Sequence, residues 1–141
     1  MPCNDHVCND EILYRKVPDQ KGTHYKPISG GGYRVTSAAF GDRQKRPHSV
    51  DRAKLCGNNP EHSKKNPTDL VVSFTADKVR GIGGFVDVVP DPNPPESPDN
   101  PAHALIVADP PFTSGNQFDK FTRSLARIAN SNWEIAPLNS A

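Results

Sequence analysis

The chain has 141 residues, the length of one ordinary domain, and its formal net charge of +1 excludes a strong overall attraction to nucleic acid or to a membrane surface. Val, Ile, Leu and Phe together account for 29 residues, just above the level below which a charged chain stays disordered. No apolar run reaches the roughly 18 residues that a bilayer-spanning helix needs. We therefore expect a folded domain with a small core.

Short β-branched and aromatic runs predict strands in the first half of the chain. Residues 12–17 (ILYRKV) predict a first strand, and residues 33–36 (YRVT) predict a short second one. The glycine-rich segment 21–32 between them is predicted to be a loop. Residues 48–55 are predicted to form one or two helical turns capped by Ser49.

The second half of the chain has the clearest periodic signals. Apolar runs predict four more strands, the last of them at a sheet edge: 70–74, 85–89, 103–108 and 133–135. A short helix is predicted over residues 76–80. Apolar residues at helical spacing predict an amphipathic helix over residues 116–129, which begins with a capping box formed by Ser114 and Gln117.

These elements predict an α+β domain, with a mixed sheet of about five strands, one long amphipathic C-terminal helix and long loops rich in Pro and Gly. Residues 1–10 are predicted to form a flexible N-terminal arm, and residues 11–138 a single domain. Six of the fifteen prolines lie in segment 90–101. This segment is predicted to be a stiff, extended connector, which would also suit docking of a protein partner.

The cysteines bear on cellular location and on metal binding. Cys3, Cys8 and Cys56 are odd in number and no secretory signal precedes them, which predicts a reducing, cytoplasmic location. Cys3, His6 and Cys8 lie close together, but only Cys3 and His6 have the spacing of paired zinc ligands. No metal site is predicted, and whether these three residues bind a metal is left open.

The near-zero net charge is the sum of two opposed segments. Residues 41–65 carry a net charge of +4 and residues 66–110 a net charge of −5. Either the two segments pair across the fold, or the basic one is free to bind a phosphate backbone or an acidic protein surface. The main functional prediction is a small cytoplasmic binding module without a cofactor, whose anion-binding residues are Arg43, Lys45, Arg46, Arg52 and Lys54.

An alternative prediction rests on a resemblance to a family of enzymes. The run Leu13-Tyr14-Arg15, the later Gly30-Gly31-Gly32 and the stretch Ser37–Phe40 resemble parts of NAD-using ADP-ribosyltransferase-type domains. In that family an Arg on the first strand holds the dinucleotide phosphate, but the Gly-Arg-Trp-type motif of its members is missing here. The resemblance implies NAD as a cofactor, a toxin or defence-type component, and catalytic roles for Arg15, His48 and Glu134. Enzymatic activity is therefore left open.

Overall fold

A six-stranded antiparallel sheet forms the centre of the protein, in a computed structural model that describes residues 6–42 and 44–138. In chain order the strands are β1 (Ile12–Val17), β2 (Tyr25–Pro27), β3 (Tyr33–Val35), β4 (His48–Arg52), β5 (Leu70–Thr75), β6 (Val86–Pro90), β7 (His103–Ala108) and β8 (Trp133–Ile135). The sheet order is β6-β7-β4-β1-β5-β8, and β2 and β3 form a separate hairpin. The predicted α+β class is confirmed, although the sheet has six strands and every neighbouring pair is antiparallel.

One face of the sheet is covered by a long helix. The two α-helices of the described residues are α1 (Ala76–Arg80) and α2 (Gly115–Ala129). The buried stripe of α2 includes Phe121 and Leu125, which pack with Val50 and Val72 of the sheet in the main core. The prediction of this amphipathic helix is confirmed. Within residues 6–42 and 44–138, neither helix has the length and apolar character needed to cross a bilayer.

The N terminus of α2 is capped by Ser114. Its hydroxyl accepts a hydrogen bond from the N–H of Gln117 at 3.2 Å, and the Gln117 amide oxygen accepts one from the N–H of Thr113 at 3.0 Å. We expect Ser114→Ala to lower the free energy of unfolding by about 1 kcal/mol, as measured by urea denaturation. The control Ser131→Ala changes an exposed serine beyond α2 and should stay within about 0.5 kcal/mol of wild type. Equal losses in the two variants would contradict a capping role.

Residues 48–55 form a strand and a 3₁₀ turn, so the prediction of helical turns in this segment is wrong. The strand is β4, and the turn spans Ala53–Leu55. On β4, His48, Val50 and Arg52 lie on one face, and two of these three buried residues are polar. An interpretation that counted only apolar residues therefore missed the alternation of period two.

The described residues of the predicted N-terminal arm pack against the domain. The side chain of Val7 is fully buried in the main core, and the carbonyl of His6 accepts a hydrogen bond from Arg52 at 3.1 Å. A single apolar residue among polar ones gives no periodic signal, so its burial was not predicted. Cys8 is disulfide-bonded and Cys56 is a free thiol. Because of the disulfide, the cysteine count no longer argues for a reducing compartment, and a cytoplasmic location stays a prediction.

Candidate functional site

Two residues of the predicted basic segment are bound to a single carboxylate. Arg52 is buried, and its Nε and Nη2 atoms donate to the two carboxylate oxygens of Glu11, each at 2.8 Å. The Nζ atom of Lys54 lies 3.4 Å from the same carboxylate. Burial acts to raise the pKa of Glu11, but hydrogen bonds from Arg52 and from the N–H of Cys8, together with the two positive charges, hold it below its ordinary value. The charges of Arg52 and Lys54 are thus matched within the protein.

Arg46, another residue of the predicted basic segment, is also bound to a carboxylate. Arg46 donates through Nε and Nη2 to the carboxylate of Asp42 at 3.0 and 3.1 Å. Hydrogen bonding from Arg46 holds the pKa of Asp42 well below its usual range. Lys45 is partly exposed, and Arg43 lies outside the described residues. The described part of the segment is therefore not one continuous basic surface, and its binding of an anionic partner stays a prediction.

Four other basic residues line a single cavity. Lys26 of β2, Arg34 of β3, and Arg123 and Arg127 of α2 contribute to a cavity of about 580 Å³, whose other lining residues are uncharged. All four side chains are exposed, and none of them forms an ion pair with any residue in the described part of the chain. We call this cavity, between the β2–β3 hairpin and α2, the basic cleft.

The local structure explains why these cations meet. Lys26 and Arg34 are paired directly across the hairpin, and Arg123 and Arg127 are four residues apart on α2. Each pair is an unfavourable like-charge contact that costs on the order of a few tenths of a kcal/mol. Since no carboxylate of residues 6–42 and 44–138 lines the cleft, nothing in this part of the chain relieves the repulsion. The basic cleft is therefore a concentrated positive charge on a nearly neutral protein.

The hairpin is fixed against the end of α2. The N–H of Val35 donates to the carbonyl of Asn130 at 2.9 Å, and the indole N–H of Trp133 donates to the carbonyl of Tyr33 at 2.8 Å. The ring of Tyr25 packs edge-on against the rings of Tyr33 and Trp133. Side chains alternate along the hairpin, so these contacts leave Lys26 and Arg34 on its opposite face. Both walls of the basic cleft are thus held in place before any partner binds.

The basic cleft could not be predicted from the sequence, because its residues come from three separated parts of the chain. The segments 1–40 and 111–141 each carry a net charge of only +1, which gave no reason to single them out. The one available signal was the pair Arg123 and Arg127 on the polar face of the predicted helix. Their meeting with Lys26 and Arg34 depends on where the hairpin docks.

Arg15 lies in a gap between β1 and β4. The two strands pair only at Leu13 and Tyr14, and beyond them Nη1 of Arg15 donates to the carbonyl of Ser49 at 2.9 Å. The guanidinium carbon lies 5.8 Å from the ring centre of Phe40, and the buried Nε atom has no hydrogen-bond partner. Burial lowers the pKa of Arg15 to about 10, so the residue still carries its charge at neutral pH.

His48 lies beside Arg15 in the core. Its Nε2 atom is 2.6 Å from the carbonyl oxygen of Phe40, and its ring stacks on Phe118 at 5.7 Å between centres. Burial, followed by the charge of Arg15, lowers the pKa of His48 to about 4. The imidazole is neutral at neutral pH and donates its Nε2 proton to the carbonyl, since a carbonyl oxygen only accepts.

The three residues implied by the resemblance to ADP-ribosyltransferases are not brought together. Arg15 and His48 line the same cavity of about 440 Å³. Glu134 lies on β8, where its carboxylate accepts a hydrogen bond from the hydroxyl of Ser73 at 2.9 Å, and it lines neither cavity that contains Arg15. NAD use and enzymatic activity stay predictions.

Two further residues of metal-ligating type, His62 and Cys56, have hydrogen-bond partners within the protein. Nε2 of His62 lies 2.7 Å from the side-chain oxygen of Asn100, and the thiol of Cys56 donates to the carbonyl of Ala53 at 3.5 Å. Within residues 6–42 and 44–138, no three His, Cys, Asp or Glu side chains are grouped as a metal site requires. Cys8 is disulfide-bonded and has no thiolate to offer a metal, and Cys3 lies outside the described residues.

Comparison with known proteins assigns no relative to this chain. No protein-family model matches it, and neither a curated protein nor a solved structure does. Function is therefore inferred from the residues of this chain alone.

Proposed function

We propose that this protein binds nucleic acid, with the basic cleft contacting the phosphate backbone. The observation that supports the proposal is the set of four exposed cations, Lys26, Arg34, Arg123 and Arg127, which line one cavity without a carboxylate among them. A nucleic-acid strand presents a phosphate every few ångströms, and cations that neutralise several phosphates release the counterions condensed on the strand. That release favours binding even when the net charge of the protein is near zero.

The chemistry of the cleft favours phosphate over carboxylate partners. Three of its four cations are Arg, whose planar guanidinium donates two parallel hydrogen bonds to a phosphate. The half-buried Ser37 in the same wall offers a hydroxyl as a further donor. The lining residues include no aromatic side chain on which a base could stack. We therefore expect binding that depends on the backbone and varies little with base sequence.

Binding should be measured by fluorescence anisotropy with labelled single-stranded and double-stranded oligonucleotides over a salt series. If all four cations contact phosphates, affinity should fall on the order of 10²-fold between about 50 and 200 mM salt. The double variant Arg123→Gln, Arg127→Gln should reduce the slope of log affinity against log salt by about 2. At about 100 mM salt this change corresponds to a roughly 30- to 100-fold loss of affinity.

The matched control removes two positive charges from the basic segment 41–65, which the sequence predicts to bind anions. Lys45→Gln with Lys54→Gln changes the net charge by the same amount and should leave the salt slope near that of wild type. Equal losses of oligonucleotide affinity in the two double variants would show that binding depends on the total charge of the protein and not on where the charge lies. That result would overturn the role of the basic cleft. Binding of polyglutamate in place of both oligonucleotides would identify an acidic protein surface as the partner and overturn the proposal of nucleic acid.

A further inference from the structure

An apolar cavity of about 500 Å³ lies where α2 meets the loop before β6 and the loop after β7. Its volume is within the range of small-molecule sites. Three phenylalanines and three other apolar residues form most of its wall: Ile82, Phe85, Pro110, Pro111, Phe112 and Phe121. We call it the aromatic cavity. It shares no described residue with the basic cleft, although α2 borders both.

Three phenylalanine rings form one side of the aromatic cavity. The centre of the Phe112 ring lies 6.1 Å from that of Phe85, edge to face, and 5.1 Å from that of Phe121. A planar aromatic ligand can join such a group in the same edge-to-face and offset arrangements. Phe85 is 40% exposed, so a ligand that covers it removes apolar surface from water.

Gly83 leaves the space in which the ring of Phe85 lies. A Cβ atom on Gly83 would be 2.5 Å from Cε1 and 2.9 Å from Cδ1 of that ring, closer than Cβ atoms come to other atoms in proteins. The N–H of Val86 donates to the carbonyl of Gly83 at 3.1 Å, and the N–H of Asp109 donates to the carbonyl of Phe85 at 2.8 Å. The second bond joins the two loops. The aromatic wall is therefore formed before a ligand binds.

Lys120 is the only charged residue among the described residues that line the aromatic cavity. The neighbouring polar groups are engaged within the protein: the amide oxygen of Gln117 accepts hydrogen bonds from the N–H and the hydroxyl of Thr113, and the hydroxyl of Ser124 donates to the carbonyl of Lys120. Lys120 is exposed and forms no ion pair with any residue that the structure describes. Its ammonium group is thus available to a ligand.

The sequence of α2 explains why Lys120 has no acidic partner on the helix. Side chains three and four positions apart meet on a helix surface. At these positions Lys120 has Asn116, Gln117, Arg123 and Ser124, none of which is an acid. Arg123 instead adds a second positive charge nearby. An apolar space with one unmatched cation at its side suits an apolar ligand that carries a single negative charge.

We propose that the aromatic cavity binds a small aromatic monocarboxylic acid. The ring system of this ligand packs against Phe85, Phe112 and Phe121, and its carboxylate accepts a hydrogen bond from Lys120. A phosphate monoester carries nearly two negative charges at neutral pH, and one ammonium group would balance only part of them. This proposal goes beyond nucleic-acid binding and depends on different residues of α2.

Isothermal titration calorimetry with 2-naphthoate tests the proposal. The uncharged analogue is 2-naphthalenemethanol, and octanoate is an acid without a ring. We expect 2-naphthoate to bind most tightly of the three. Lys120→Gln should weaken binding of 2-naphthoate roughly 5- to 10-fold and leave binding of the alcohol unchanged, since only the charged ligand loses its partner. Lys78→Gln, which removes an exposed lysine of α1, is the matched control and should bind both as wild type does.

Two variants test the aromatic wall. Phe85→Ala should weaken binding of both naphthyl compounds roughly 10- to 50-fold, because a ring contact is lost. Its control is Leu55→Ala, which removes a side chain of similar exposure outside the cavity and should bind as wild type does. Gly83→Ala keeps every lining side chain but displaces the ring of Phe85, and should weaken binding roughly 3- to 10-fold. Gly83 lies outside the left-handed region that favours glycine, so this variant should fold.

Several outcomes would overturn the proposal. One is the absence of 2-naphthoate binding to the wild-type protein at concentrations up to about 10 mM. Another is equal binding by wild type, Lys120→Gln and Phe85→Ala. Octanoate that binds as tightly as 2-naphthoate would overturn the aromatic class of the ligand. A loss of binding confined to the double variant Arg123→Gln, Arg127→Gln would place the ligand in the basic cleft.

Two further measurements identify other occupants of the aromatic cavity. Binding of a decaproline peptide without binding of 2-naphthoate would show a peptide groove. A wild-type dimer in analytical ultracentrifugation that Phe85→Ala dissociates would place a second copy of the chain over the cavity. Either result would overturn the proposal. Since the oligonucleotide experiment changes other residues, each of the two proposals can fail without the other.

Discussion

Replacing Glu11 by Gln is expected to lower the free energy of unfolding by about 3 to 5 kcal/mol, the cost of breaking a buried ion pair by removing one partner. Both Glu11 and Arg52 are 4% exposed in their side chains, and two hydrogen bonds of 2.8 Å join them. Gln has nearly the same shape as Glu, but it has no charge and only one acceptor oxygen. Arg52 would lose the carboxylate that balances its charge, and Lys54 would lose the same partner.

Urea denaturation at neutral pH measures this loss. The control is Glu61→Gln, which removes a carboxylate that is 60% exposed and lies 3.5 Å from Lys64. An exposed pair of this kind contributes about 0 to 1 kcal/mol, so the control should unfold almost as wild type. If Glu11→Gln were no more destabilising than Glu61→Gln, the ion pair would contribute no more than a surface contact. The buried position of Arg52 would then need another explanation.

The ion pair also shows how the protein distributes its charge. Among the described residues, the basic segment 41–65 forms its ion pairs with Asp42, Glu61 and Glu11, and none of them joins it to the acidic segment 66–110. The prediction that the two segments either cancel each other or leave the basic one free therefore missed a third arrangement. Carboxylates close in sequence, and one near the N terminus, bind the cations. The basic cleft keeps its charge because its residues come from segments in which few acids lie nearby.

Elements with a clear period could be predicted from the sequence. The stripe of α2 repeats every three or four residues, and the apolar run of β5 has the length of a buried strand, so both were predicted close to their observed bounds. A search for apolar periodicity did not predict β4, because two of its core-facing residues, His48 and Arg52, are polar. A polar residue faces the core only when it has a partner there, and partners distant in sequence are not visible in a local pattern.

The candidate sites were harder to predict for the same reason. Arg15 was noticed only through a resemblance, and its burial depends on the gap where β1 and β4 stop pairing. The basic cleft depends on the docking of the β2–β3 hairpin against α2. The hydrogen bond between Val35 and Asn130, which are far apart in sequence, holds the hairpin in this position. Both sites are products of tertiary structure, so composition and spacing could suggest their chemistry but not their place.

Stability is expected to fall by about 3 kcal/mol between pH 6.5 and pH 4 through the protonation of His48 alone. Burial, followed by the charge of Arg15, lowers the pKa of His48 from 6.5 to about 4 in the folded protein. In this pH range the unfolded chain takes up a proton at His48 and the folded protein does not, so the unfolded state gains stability as the pH falls. The contribution is therefore fully present above pH 6.5 and is lost as the pH approaches the folded pKa. Each pKa unit corresponds to about 1.4 kcal/mol.

The variant His48→Gln isolates this effect. Gln does not titrate, and its amide N–H can donate to the carbonyl of Phe40 as the imidazole does. The unfolding free energy of the wild type minus that of the variant should fall by about 3 kcal/mol from pH 7 to pH 4, because only the wild type loses stability through His48. Carboxylates such as Glu11 titrate in both proteins and cancel in the difference, while His62→Gln reports the contribution of an exposed histidine. A difference that stays constant with pH would mean that His48 has the same pKa in the folded and unfolded protein, and so is charged in the folded protein at pH 4. Its stacking on Phe118 and its place beside Arg15 would then have to be reconciled with a second buried cation in the core.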